Sequence, residues 1–473
     1  MHKAIAFKEH DVIGDTVTGG LRVFILIWVG QLVSLIGSGL TSFALGVWTY
    51  ERTGSVTKFA LISLFMVLPG VVISPLAGAL VDRWDRRWAM IFSDSGAGLC
   101  TLIIALLLLG DRLETWHIYL AVGCISIFNA FQWPAYIAAT ALLVPKRHFG
   151  RVGGMIETGR AAAQIVAPAL AGVLVLTIHV QGVVLLDFAT FLLALIMLLL
   201  VRFPRPEPLG AEEEGIRGSL MREAGYGWSY IRARAGLMGL LLFFATSNFL
   251  LGIVGVLVTP LVLAFASAAA LGTVLTVSGS GMLLGSFLMS IWGGPRRRIK
   301  GVLGFMFASG VCVMLAGLRP SVSLLALAGF CYFFSFPILN GCSQAIWQSK
   351  VAPGVQGRVF AIRRMIAWST LPLAYLLAGP LADHIFEPLL AADDGRLAAS
   401  AGRVIGVGPG RGIGLMFILM GFMTMLVAVC GYLYPRVRLV ENELPDAIEG
   451  DAQTKEEQSR QADPALTEEV SQR

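Results

Sequence analysis

Asp94, Asp187 and Glu157 stand within long apolar runs, where an ionised carboxylate has few groups to solvate it. A carboxyl group in such a setting exchanges a proton as its surroundings alternate between dry and wet, so these three are the candidates for proton chemistry. Asp187 ranks first because no cation stands near it in sequence; Asp94, in Ser-Asp-Ser, is expected to pair with an arginine of a neighbouring loop. A second set suits recognition: Gln31, Ser38, Asn129, Gln132, Asn248, Asn340 and Gln344. Hydrocarbon cannot satisfy such side chains, so they must face inward. A minority are expected to line a cavity, the rest to bond neighbouring helices. With so few buried charges, that cavity should favour bulky, largely apolar molecules over simple ions. The six cysteines lie in apolar runs without metal-ligand spacing, so no metal or other cofactor is expected. Neither HExxH nor GxSxG occurs, which argues against an enzyme.

The runs that must hold these residues are of membrane-crossing length, since about 20 apolar residues traverse about 30 Å of hydrocarbon. They cover 21–50, 59–81, 88–109, 116–143, a fifth run to 177, 182–201, 237–265, 271–292, 302–318, 324–347, 360–386 and 413–434. Of 473 residues 56% are hydrophobic and only 14% charged, against roughly 25% charged in soluble domains. In the first run Gln31, Ser34, Ser38, Thr41 and Ser42 recur at helical spacing, placing the polar surface on one side, with Gly37 and Gly39 available for close helix packing. The expected fold is an all-α membrane protein of 12 transmembrane helices in two pseudo-symmetric six-helix bundles. Residues 1–20 form a cytoplasmic N-terminal segment, 21–202 the first bundle, 203–235 a cytoplasmic linker, 236–435 the second bundle, and 436–473 a disordered cytoplasmic tail.

Orientation is read from the turn Gly78–Arg87, Gly-Ala-Leu-Val-Asp-Arg-Trp-Asp-Arg-Arg. Its Arg83, Arg86 and Arg87 mark a cytoplasmic face, because Lys and Arg accumulate in short inner loops. The turns Pro145–Val152 and Pro295–Lys300 are basic as well, and both termini then lie in the cytoplasm. The net charge of +6 follows from such loops and calls for no nucleic-acid partner. The turn before the fifth run, Val144-Pro145 to Gly150-Arg151-Val152, recurs before the eleventh as Val351-Ala352-Pro353 to Gly357-Arg358-Val359. Each half thus repeats the other.

Gly78, Asp82, Arg83, Arg86 and Arg87 stand at the spacing Gly-x-x-x-Asp-Arg-x-x-Arg-Arg, which resembles the loop 2–3 signature of the major facilitator superfamily. The second repeat turn, with Gly46-Val-Trp-Thr-Tyr50 and Thr53-Gly54-Ser55, resembles the macrolide-efflux type of drug exporter, itself similar to bacterial enterobactin exporters. The resemblance implies a monomer in the bacterial cytoplasmic membrane that exports a small amphipathic molecule (drug, siderophore or metabolite) by proton antiport and alternating access. Two alternatives remain: a phospholipid or lysophospholipid flippase on the same fold, and a non-transporting sensor. Such a fold would pack span five near span eight and span eleven near span two. Asp82 would then face Arg358 or Arg364, and Glu157 would face Arg296, Arg297 and Arg298, latching the bundles on the cytoplasmic side. The chain departs from the family in two places. No arginine occurs in span four, and the antiporter motif of span five is represented by Ala167-Pro168 and Ala171-Gly172, with Pro168 and Gly172 left to shape the helix.

Overall fold

The computed structural model describes residues 6–81, 84–144, 149–201, 227–352, 355–390 and 402–444. Among these residues, eleven helical runs are long and apolar enough to cross a membrane. One of them, Phe149–Leu200, is 52 residues long and would rise about 78 Å if straight. It is broken at His179, where φ is 58° and ψ 176°. Its two arms fold back on each other. Trp28 donates to the Met155 carbonyl, while the adjacent turn at Gly30 packs on Met197, so both arms meet the same stretch of the first helix. Twelve passes result. We label them α1 (Ala6–Thr53), α2 (Val56–Val81), α3 (Arg86–Leu109), α4 (Thr115–Leu143), α5 (149–178), α6 (180–200), α7 (Ala235–Leu263), α8 (Ala268–Trp292), α9 (Arg298–Leu318), α10 (Val322–Lys350), α11 (Gln356–Leu381) and α12 (Arg411–Leu433).

Local chemistry sets several boundaries. The Asp85 carboxylate accepts from the Arg87 and Trp88 amides and caps α3. Ser267 and Ser321 cap α8 and α10 in the same way. At the end of α8, Gly293 takes a left-handed φ of 70° that a side chain would strain. Arg87 spans the first bundle, donating to the Leu198 and Leu199 carbonyls at the C-terminus of α6, where unsatisfied acceptors and the helix dipole favour a cation.

Packing divides the molecule by height. At the end carrying the basic turns, each bundle has its own core: Phe24, Met90, Ala135, Val152 and Leu198 in one, Leu237, Val302, Ile338, Trp347 and Val359 in the other. At the far end one core spans both bundles, joining Val47, Val56, Phe59 and Ala60 to Leu257, Leu271, Ala374, Ala378 and Phe417. The far end is closed.

The tail departs from expectation. Residues 436–444 are not structureless: Pro435–Arg438 and Val440–Glu443 are short helices strapped beneath the second bundle, with Val437 and Val440 buried. Glu441 caps α9 through the Arg298 and Ile299 amides, and buried Lys350 donates to the Glu441 and Leu444 carbonyls at 2.6 Å. Buried groups seeking partners fix this segment, which apolar periodicity does not reveal. At the other end, α1 begins at Ala6, well before Leu21. Most of the central linker and the tail beyond Leu444 lie outside the described residues.

Candidate functional site

Each bundle carries a cavity at the matching place. The first, 350 Å³, is lined by α1, α4 and α5, with Phe191 of α6. The second, 640 Å³, is lined by α7, α10 and α11, the first, fourth and fifth helices of their half. Both volumes fall in the range of small-molecule sites, about 300–1,000 Å³. Gln31, Ser38, Asn129 and Gln132 line the first; Asn248, Asn340 and Gln344 line the second. All seven inward polar residues therefore reach a cavity. Several also bond across helices, as Asn248 does to the Ala367 carbonyl at 3.0 Å.

Among the described residues, Asp94 bonds glutamines and no arginine. It is 2% exposed on α3, and its carboxylate accepts from Gln31 Nε2 at 3.0 Å and from Gln132 Nε2, while Gln132 Nε2 also donates to Gln31 Oε1 at 2.8 Å. Three helices thus close a ring around one carboxylate, and two of its members line the first cavity. Arg86 and Arg87 stand at the start of α3, about 10 Å along the helix from Asp94, and Arg87 bonds α6 instead. Asp187 is also buried, at the contact of α6 with α1, where a Cβ on Gly37 would lie 2.8 Å from its Oδ1. Among the described residues its Oδ1 has no hydrogen-bond partner, and the Thr190 hydroxyl donates to the Asp187 backbone carbonyl at 2.7 Å.

The cavities are more basic than sequence suggests. Arg160 lies over the Trp133 ring, 4.1 Å from its centroid, and both line the first cavity. In the second, Arg363 donates to Gln344 Oε1 at 3.0 Å and to Ser343 Oγ at 3.2 Å, and Arg364 stacks over Trp368. Arg363 and Arg160 were missed as site residues, although an ionisable group inside a span is itself a functional signal. The expectation of a cavity poor in charge fails because aromatic faces hold Arg160 and Arg364 at the walls, and Arg363 is held by the Gln344 amide and the Ser343 hydroxyl.

Spans five and eight do pack together, as do two and eleven. A Cβ on Gly172 would lie 3.1 Å from the Ala268 carbonyl oxygen, and one on Gly272 2.7 Å from that of Pro168, so small residues set the closest approach of the bundles. Beside it, Asp383 of the second bundle reaches the N-terminus of α2. Its carboxylate accepts from Ser55 Oγ at 2.8 Å and from the Val56 and Thr57 amides at 3.0 and 2.8 Å. It lies in the π-helical stretch Ala382–Phe386. One turn on, Glu387 accepts from the Gly410 and Ile413 amides of α12. Sequence gave no cue to this cap, because its partners are 326–328 positions away.

Of the expected basic-end latch, Asp82 and Arg83 lie outside the described residues. Gly78, Glu157 and Arg358 lie in helices, but the described residues do not include the Glu157 and Arg358 side chains. Arg86 opens α3. Arg298 bonds the Gly293 carbonyl, and Arg297 lines an outer recess of its own bundle.

A sequence profile described as Major Facilitator Superfamily matches residues 27–374. The chain is 30% identical to macrolide efflux protein A of Streptococcus pyogenes, over 76% of this chain and 90% of that protein. It is 24% identical to the multidrug efflux pump Tap of Mycolicibacterium fortuitum, over 76% and 89%. In fold it is similar to a bacterial homolog of the human lysosomal transporter Spinster, solved inward-facing and unoccupied, with TM-score 0.66 at 15% identity over 90% of this chain and 98% of that one. The nucleoside transporter NupG gives 0.61 at 13% identity, over 86% and 98%.

Proposed function

The chain belongs to the Major Facilitator Superfamily, and from that premise we propose that it exports a small amphipathic compound across the cytoplasmic membrane by alternating access, driven by protons. One observation carries the reading. Two cavities at equivalent positions lie between a far end with one shared core and a basic end with two separate ones. With the basic end in the cytoplasm, this arrangement loads from inside, as an exporter must. The names of the efflux relatives support the direction. Arg160, Arg363 and the carboxamides offer donors to oxygen atoms of a ligand, and the tryptophans and tyrosines offer faces to its apolar part.

Asp94 replaces Asp187 as first choice for proton coupling, because its hydrogen-bond partners are themselves cavity walls. An ionised carboxylate only accepts hydrogen bonds; a protonated one must also donate. Protonating Asp94 therefore obliges Gln31 or Gln132 to turn, which reshapes the cavity.

The α2–α11 pair supplies the switch. Asp383, just past α11, caps α2 at the far end. Asp82, which follows α2 in sequence, is taken in this reading to meet the N-terminus of α11 with Arg358 or Arg364 once the basic end closes. Each carboxylate is bonded in one state and released in the other.

Uptake into energised inverted vesicles, with a panel of macrolides, siderophores and fluorescent dyes, tests the reading. Uptake of one class that a protonophore and Asp94→Asn both abolish is expected. Uptake indifferent to the gradient would overturn proton coupling. Loss with Asp187→Asn alone would return the role to Asp187.

A further inference from the structure

The outer surface of the second bundle carries a recess unrelated to the two cavities. On α9, Lys300, Leu303, Gly304 and Phe307 follow one another along a single helical face. Against them on α12 stand Ala428, Val429 and Tyr432, and the two stripes enclose a groove of 360 Å³. From Lys300 to Phe307 it descends about 10 Å along the helix. Its floor is open: a Cβ added at Gly304 would meet nothing within 4 Å.

At its basic end the groove runs into a second hollow of 260 Å³, sharing Lys300, Leu303 and Tyr432 with it. Arg297, Lys300 and Arg438 rim this hollow with their charged ends exposed, and the Arg438 guanidinium lies 5.5 Å from the Tyr432 ring centroid. Among the described residues the only acid in the lining, Glu441, has both carboxylate oxygens committed to the Arg298 and Ile299 amides. Three cations thus stand over an apolar slot, with a tyrosine at the level where amphipathic rings sit in a bilayer.

We propose that this recess binds an anionic phospholipid, its phosphate held by Arg297, Lys300 and Arg438 and one acyl chain lying along Gly304 between α9 and α12. Charge selects the headgroup. The slot selects a lipid over a soluble anion, since inorganic phosphate has nothing to place beside Leu303, Phe307 and Val429. The site requires only that the protein sit in a bilayer and does not rest on export.

Native mass spectrometry of the purified full-length protein tests it, with phosphatidylglycerol and phosphatidylethanolamine of matched chains. Preferential retention of one phosphatidylglycerol is expected, with each of Arg297→Ser, Lys300→Ser and Arg438→Ser weakening it roughly fivefold. Gly304→Leu enters open space and favours helix, so it should leave the protein folded while displacing the lipid. Arg436→Ser, next to the recess but paired with Glu443, should change nothing. Equal retention of both lipids, or equal loss with Arg436→Ser, would reduce the recess to diffuse attraction and overturn the proposal. Displacement of lipid by inorganic phosphate, with no effect of Gly304→Leu, would make it a simple anion site and overturn it too.

Discussion

Asp94 shows what a single residue contributes here. A carboxylate so buried survives only with donors around it, and Gln31 and Gln132 provide them. Removing one donor leaves the other to carry a desolvated charge, at a cost of about 1.5–3 kcal/mol. Gln132→Ala should therefore lower the thermal midpoint in detergent by about 1.5–3 °C. Adding Asp94→Asn should restore part of that loss, because the charge that needed the donor is gone. Strictly additive losses in the double variant would mean that the two residues do not interact. In the sequence Asp94 stood out as an acid within a span, and the two glutamines as polar groups needing an inward face. Their meeting was not legible: the three belong to separate helices, 38 to 101 positions apart.

At the scale of elements, Asp383 holds the N-terminus of α2 from the opposite bundle. Charge-assisted caps of this kind stabilise by roughly 1–2 kcal/mol. Asp383→Ala should thus shift the balance between closed and open far ends by about 5- to 30-fold toward open. Distances between spin labels on the far ends of α2 and α11 would reveal it; an unchanged distribution would remove Asp383 from the gate. Gly172 works on the same seam by being small. Its neighbours across the seam, the Ala268 carbonyl and Gly272, leave no room for a branched side chain. The proline and glycine of this stretch were legible as shapers of span five, but the helix they abut was inferred through resemblance to a family. Spacing alone does not say which helices touch.

For the whole molecule, the two ends differ in how the bundles are joined. A core shared by α1, α2 and the helices of the second bundle seals the far end, so transport requires that core to part while the basic end closes. Cysteines at Lys58 and His384, exposed neighbours of the Thr57–Asp383 contact, in a background lacking the six native cysteines, should be joined by a short cleavable cross-linker. Joining them should abolish export, and cleaving the linker should restore it. Export that persisted with the linker in place would mean that the seam need not open.

The sequence by itself determined the twelve crossings, the basic turns at one end, and the need for seven polar residues to face inward. The bilayer imposes these through length, charge and unsatisfied hydrogen bonds, all of which act along one helix at a time. Only the tertiary structure decided which carboxylate joins which amides, where Arg160 and Arg363 lie, that residues 436–444 strap the second bundle, and which end is closed. Those outcomes depend on groups brought together from distant helices, where packing and the pairing of buried polar atoms decide, and neither leaves a local mark in the chain.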